Sequence, residues 1–391
     1  MNEIENITQR ITGIHTERID LKESFLDFSA RFSSMPGTVI LMSGGDLDCA
    51  RNNILAARPW LTLQGGRNGI IITAEGHSSL LEADPFDALS MVLDTFSMKD
   101  PHLPVPVGAG LFGYLSYDLK DRLEDLPRTS IDDLCLPHIF LFAPSILVVQ
   151  DRIDGSTHLC LPKRVFSGRS TLDDDLDIFK KALASDAWTG GNESWSASGF
   201  GSNFTRADYM EAIEKIKEYI ASGHVYQVNM SQRFEMEFLG DTFSLFKALY
   251  NINPAPFFAY INSGDHQIIS TSPERFILRK GKRVETRPIK GTRPRGKTLT
   301  EDKELGRQLK QSKKDEAELS MIVDLLRNDL GKVCVGGSVR VLEHKRLEAY
   351  QNVYHLISIV EGTLKGGCDS VDLIKATFPG GSITGCPKIR A

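Results

Sequence analysis

Cysteine is scarce and never clustered. The six in this 391-residue chain (Cys49, Cys135, Cys160, Cys334, Cys368 and Cys386) form no CxxC pair and no Cys/His group. That excludes a common zinc pattern and points to reduced, cytosolic thiols. An excess of positive charge is also missing. The 46 basic residues stand against 51 acidic ones, a formal charge of −5, which argues against a general nucleic-acid binder. The amino terminus, Met-Asn-Glu-Ile-Glu-Asn, has neither the basic region nor the apolar core of a signal peptide. The longest apolar run, Ile139 to Val149, contains Pro144 and is too short to span a bilayer. Internal repeats and low-complexity tracts are absent. A soluble, cytoplasmic protein is expected.

What remains is an ordinary globular composition, 41% hydrophobic and 25% charged. The length suits roughly two or three domains. Short apolar runs at Thr38–Met42, Trp60–Leu63, Gly69–Thr73, Ile139–Phe142 and Ile146–Gln150 read as strands. Pro85–Phe96 has helical spacing, and Gly108–Asp118 mixes glycine with aromatics as where backbones crowd together. The Ser/Gly/Asn-rich stretch after Ala184 predicts a linker or surface excursion at 185–203, between an N-terminal region 1–184 and a C-terminal region 204–391. Thr205 and Asp208 then suggest a helix cap. Tyr209, Ala212, Ile213, Ile216 and Ile220 form an apolar stripe, and Gly223 closes the helix. Residues 225–234 alternate, Tyr226, Val228, Met230 and Phe234 against Val225, Gln227, Asn229, Ser231 and Arg233. A strand with such an amide-rich front can line a polar pocket.

Lys314–Leu330 predicts a second helix, ended by Gly331, with Leu319, Ile322, Val323, Leu326 and Leu330 inward. Glu318 lies about 40° from Ile322 on it. At the edge of an apolar stripe a carboxylate needs a partner cation, which on the helix alone is a neighbouring Lys or Arg. The most informative stretch is Pro288-Ile-Lys-Gly-Thr-Arg-Pro-Arg-Gly296. It holds Lys290 between prolines, next to Gly291, with Arg287, Arg293 and Arg295 close in sequence. Cations that near raise the cost of protonating the amine, and the neutral amine is the form a nucleophile uses. In a chain of net negative charge, the loop reads as a local site for a small anion. Gly381 and Ser382, in Phe378-Pro-Gly-Gly-Ser-Ile-Thr-Gly-Cys-Pro-Lys388, supply a turn whose N–H groups suit an anion. Lys388 there is a carboxylate contact or simply exposed.

These motifs occur in order with Ser272-Pro-Glu-Arg-Phe276, Asp315-x-Ala-Glu318, Met321-Ile-Val-Asp-Leu-Leu-Arg-Asn-Asp-Leu-Gly331 and Tyr354-His-Leu-Ile-Ser358. The set resembles the chorismate-utilising enzymes, which include anthranilate synthase, aminodeoxychorismate synthase, isochorismate synthase and salicylate synthase. The resemblance covers most of the chain and is weakest over the first hundred residues or so. It implies an α+β fold of two large, mostly antiparallel sheets packed face to face with helices outside. Within the family, a loop reading PIKGT resembles component I of the aminodeoxychorismate branch, whereas anthranilate synthases carry alanine in place of the lysine.

The resemblance further implies residue roles. Lys290 matches a covalent nucleophile toward C2 of chorismate, and Glu274 a general acid/base glutamate that protonates the departing C4 hydroxyl. Glu318 matches a Mg2+ ligand. Thr292, Gly291, Arg327, His355, Gly381 and Ser382 match substrate-binding positions, although His355 can equally be a satisfied core histidine. A glutamine amidotransferase partner would supply ammonia for 4-amino-4-deoxychorismate. Anthranilate synthase component I and an inert chorismate-binding fragment are the alternatives. In the family, the GCPK motif is followed by further strands bearing a carboxylate-gripping arginine and a second Mg2+ glutamate, whereas this sequence ends at Ala391. A fragment or a truncated enzyme is therefore expected. Ser43 and Arg51–Leu55 fall near the family's N-terminal tryptophan pocket, in a regulatory or a merely structural role.

Overall fold

A computed structural model describes residues 10–66, 69–98, 102–127, 131–166, 168–185 and 196–391. Most of the expected 185–203 excursion lies outside them. The fold is α+β, and the ladders of both principal sheets are antiparallel. No helix among the described residues is long and apolar enough to cross a membrane. The chain forms two compact units, Met1–Gly191 with Thr242–Pro273, and Asn192–Asp241 with Glu274–Ala391. The contiguous division expected at 185–203 thus gives way to a discontinuous one. The reason is pairing: strand Phe257–Asn262 lies beside strand Thr38–Met42, in register from Phe258 opposite Met42 to Asn262 opposite Thr38.

In the first unit an eleven-stranded sheet runs in the order 10–19, 157–166, 139–151, 52–66, 38–42, 257–262, 267–272, with short strands attached off this path. All five expected strand runs lie within its strands, two of them merged into Ile139–Asp151. That strand continues through Pro144, which faces Pro59 where the ladder is irregular between Pro59 and Leu61. Proline has no N–H to offer a ladder, so opposing the two confines the missing bonds to one bulge. The crowding read from Gly108–Asp118 is real at Gly113, where an added Cβ would lie 2.0 Å from the Phe140 carbonyl oxygen. Phe28, Phe32, Phe179, Phe243, Phe246 and Phe258 fill the core of this unit.

The second unit is built on a five-stranded sheet. Strands Arg283–Arg287 and Ile289–Pro294 run end to end along one side of Val353–Thr363, and Arg340–Ala349 lies along the other. Pro288 is the break between the first two, and its carbonyl still accepts from Ser358 N–H at 3.2 Å. Helices Leu299–Gln311, Lys313–Val333 and Ser370–Thr377 cover one face, with Leu309, Leu319, Val323, Leu330 and Leu373 against Tyr354, Leu356 and Val360. Lys313–Val333 does not stop at Gly331 as expected. Val333 lies in the core, and its burial outweighs the ~1 kcal/mol that glycine costs within a helix.

Nearby, one expectation holds and another fails. Helix Arg206–Ala221 forms with Thr205 as its cap, and Tyr209, Ala212, Ile213 and Ile216 of its apolar stripe are half-buried while Ile220 is exposed. Residues 225–234 are not one strand. Gln227–Val228 pairs with Gly385–Cys386, and Phe234–Glu235 pairs with Gly201–Ser202. Val225 is buried and Tyr226 exposed, the reverse of the predicted faces. Alternation assigns faces only where a neighbouring layer covers one of them.

Candidate active site

Strand Ile289–Pro294 carries a bulge at Gly291, since Lys290 faces Leu356 but Thr292 faces His355. Gly291 has φ of +72°, and a Cβ there would meet Asp315 Cβ at 2.9 Å and Leu309 Cδ1 at 3.0 Å. Both the left-handed backbone and the close approach of the two helices require glycine. The bulge sets Lys290 so that its amine donates to the Ser382 carbonyl at 3.1 Å. Asn229 Nδ2 donates to the same oxygen at 2.7 Å.

Ser382 belongs to the turn Gly381–Ile383, which sits tightly on Lys313–Val333, because a Cβ on Gly381 would lie 2.8 Å from Leu325 Cδ2. Glu274 converges on the same place. Its carboxylate lies near the Ser382 hydroxyl, the Lys290 amine and the Ile289 N–H, all of which favour its ionised form. Burial is the larger influence, and the carboxyl pKa is pushed up to about 6. A carboxyl whose pKa is raised toward neutrality, so that a fraction stays protonated there, and that lies beside an amine suits general acid–base catalysis next to a nucleophile.

His355 Nδ1 lies 3.0 Å from Thr292 Oγ1 and 3.3 Å from the Gly291 carbonyl. Burial lowers its pKa, partly offset by the Gly291 hydrogen bond, so the ring is neutral at pH 7. With Nδ1–H donating to Gly291, Nε2 is the basic nitrogen. His355 thus braces the bulge from the neighbouring strand.

The arginines of the loop do not form a free cation cluster beside the amine. Arg287 pairs with Glu285 at 2.7 Å, Arg293 with Asp315 at 3.1 Å, and Arg295 holds both oxygens of Asp302 at 2.8 Å. Each of these guanidinium groups thus faces a carboxylate. Arg327 is exposed and pairs with Asp324 at 2.8 Å. Glu318 is half-buried, with Lys314 Nζ at 3.9 Å. Among the described residues, no hydrogen bond or ion pair joins Arg327 or Glu318 to Lys290, and no three His, Cys, Asp or Glu side chains form a metal cage. Lys314 is too distant for a hydrogen bond, so Glu318 offers one carboxylate to a cation. That suits magnesium, which one or two carboxylates hold together with substrate oxygens and water.

Sequence reasoning missed two participants. Asn229 was placed on a polar front but not matched to the Ser382 turn. Asp329, 1% exposed, takes Lys388 Nζ at 2.5 Å and Lys332 Nζ at 3.1 Å. The signal for it was present. Asp329 is seven residues (329 − 322) from inward-facing Ile322, about 20° away on a helix, so it had to be buried and paired.

Residues 57–391 match the chorismate binding enzyme family. Aminodeoxychorismate synthase component 1 from Bacillus subtilis (strain 168) is 38% identical over 376 residues, covering 94% of this chain and 78% of that protein. Anthranilate synthase component 1 from Thermus thermophilus is 37% identical over 311 residues, covering 79% of this chain and 66% of that protein. The crystal structure of anthranilate synthase component I from Streptococcus pneumoniae TIGR4 superposes with a TM-score of 0.77 at 28% identity, over 89% of this chain and 76% of that one. The chain, with its lysine and half-buried glutamate meeting at one turn, belongs to the family of chorismate binding enzymes.

Proposed function

We propose that this chain aminates chorismate at C4, giving 4-amino-4-deoxychorismate, with ammonia from a glutamine amidotransferase partner. The observation that carries the proposal is the meeting of the Lys290 amine and the protonatable Glu274 carboxyl at Ser382. The neutral Lys290 amine adds to C2, and the two conjugated ring double bonds shift together toward C4. The C4–O bond breaks with its electron pair, and Glu274 gives that oxygen its proton, releasing water. Ammonia then adds at C4, both double bonds return, and the C2–N bond breaks to restore the Lys290 amine. Glu274, now a carboxylate, takes the proton released by the incoming nitrogen. With a pKa of about 6, about one Glu274 in ten is protonated at pH 7, so the acid is available without being lost as a base. Mg2+ held by Glu318 would neutralise a substrate carboxylate.

Direct amination at C2, as the likeness to anthranilate synthases suggests, needs no lysine adduct. The two readings separate on one experiment. The chain is incubated with chorismate, Mg2+ and ammonium, then examined by intact mass spectrometry and product assay. An adduct that maps to Lys290 and disappears in Lys290→Ala is expected, with 4-amino-4-deoxychorismate as product. Anthranilate, or an adduct persisting in the variant, refutes the proposal.

A further inference from the structure

We infer that Asp329 and Lys388 are positioning residues that close the loop 378–388 and so hold Ser382 against Lys290 and Glu274. The inference rests on reading Lys290 and Glu274 as the reacting pair. Asp329 sits on helix Lys313–Val333, and its two oxygens take Lys388 and Lys332. Both lysines also donate to the carbonyls that end helix Ser370–Thr377: Lys388 to Thr377 at 2.9 Å and Lys332 to Ala376 at 3.4 Å. The loop leaves that helix at Phe378 and ends at Lys388, so a single buried carboxylate fastens both of its ends.

Between these ends the loop is tied mainly to segment 226–229: Tyr226 N–H donates to the Cys386 carbonyl and Asn229 N–H to the Thr384 carbonyl, each at 2.8 Å, and Asn229 Nδ2 donates to the Ser382 carbonyl. Its regular pairing is the two-residue ladder of Gly385–Cys386 with Gln227–Val228. Thr384 Oγ1 donates within the loop to the Gly380 and Gly381 carbonyls, each at 3.3 Å. The glycine contact on Leu325 fixes its depth against the helix, segment 226–229 holds its middle, and the fastened ends set where it leaves one helix and returns to the other. A buried ion pair is a weak device for stability alone, because apolar side chains of similar volume usually serve as well. Its advantage is directional: Lys388 reaches a carboxylate on one helix and the last carbonyls of another, and either bond lost frees one end of the loop.

The test compares the full chain with Asp329→Asn, Lys388→Met and the double variant. Each single change strands a buried charge, so the double variant, which strands none, carries the decision. Three readouts are taken: amide hydrogen exchange of residues 380–386, the rate at which cyanate carbamylates Lys290, and turnover of chorismate. The double variant is expected to melt cooperatively, with exchange in the loop at least tenfold faster and Lys290 carbamylated several-fold faster. Its kcat should fall at least tenfold with KM little changed. Parent-like exchange and carbamylation overturn the inference, and so does a loosened loop with parent-like turnover. A double variant that no longer melts cooperatively also overturns it, since the pair would then hold the unit rather than the loop. If the parent forms no Lys290 adduct, the proposed reaction fails, while exchange and carbamylation still decide whether the pair fastens the loop.

Discussion

Burial holds the Glu274 carboxyl at a pKa of about 6, even against the lowering pull of Ser382, Lys290 and the Ile289 N–H. The folded state therefore keeps this proton to a higher pH than the unfolded chain, whose glutamate titrates near 4.5. The sign follows: the stability tied to this proton is fully present below pH ~4.5 and is lost as pH rises through about 6, at a cost of about 2 kcal/mol. Glu274→Gln removes that cost. At pH 7.5 the variant should melt higher than the parent, by up to about 2 kcal/mol, while losing most of its turnover. At pH 4.5 the two should melt alike. A variant that is less stable at pH 7.5 would show that Glu274 is a structural hydrogen-bonding group. Gly291 makes the opposite prediction. Gly291→Ala puts a Cβ into Asp315 and Leu309 at a left-handed φ, and should cost roughly 1–3 kcal/mol by denaturant titration. An unchanged midpoint would mean the bulge relaxes freely and does not set Lys290.

Among the elements, the two strongly periodic helices show what a pattern can and cannot report. Lys313–Val333 buries the stripe its sequence shows, while the equally regular stripe of Arg206–Ala221 is only half-covered among the described residues. Period and caps report that a helix forms. Whether its stripe is buried depends on a partner that local sequence does not name. The same limit explains residues 225–234, where polar and apolar residues do alternate but Val225 and Tyr226 exchange the exposure expected of them. Lys290, Glu274 and Ser382 each stand out in a motif of their own, and the fold brings the three together. The contact of Asn229 with Ser382 was not legible in the sequence, because it depends on how separate elements dock. The contrast is measurable. Leu319→Ala should cost about 2–5 kcal/mol, as for a filled core position, whereas Ile216→Ala should cost under about 1 kcal/mol. Equal losses in chemical denaturation would mean that the Arg206–Ala221 stripe is packed in solution.

At the scale of the whole chain, the discontinuous division decides which pieces can stand alone. A cut in the composition-poor stretch near 185–203 looks natural in sequence, but it separates the first unit from Thr242–Pro273. That segment supplies two strands to the eleven-stranded sheet and places Phe243, Phe246, Phe258 and Tyr260 in its core. These residues are 2% exposed or less. Removing them exposes the edge at Thr38–Met42 and leaves a void where several aromatic side chains packed, each worth about 3–5 kcal/mol as a truncation to alanine. Such a sum exceeds the 5–15 kcal/mol by which an ordinary domain is stable. Residues 1–184 expressed alone should therefore fail to melt cooperatively and should aggregate through the bare strand edge. Residues 204–391 alone should carry 242–273 as an exposed, protease-sensitive insertion. Limited proteolysis of that piece should cut first within 242–273, whereas the same segment should be protected in the full chain. A cooperative melt from 1–184, or protection of 242–273 in the 204–391 piece, would show that the core does not depend on the returning segment.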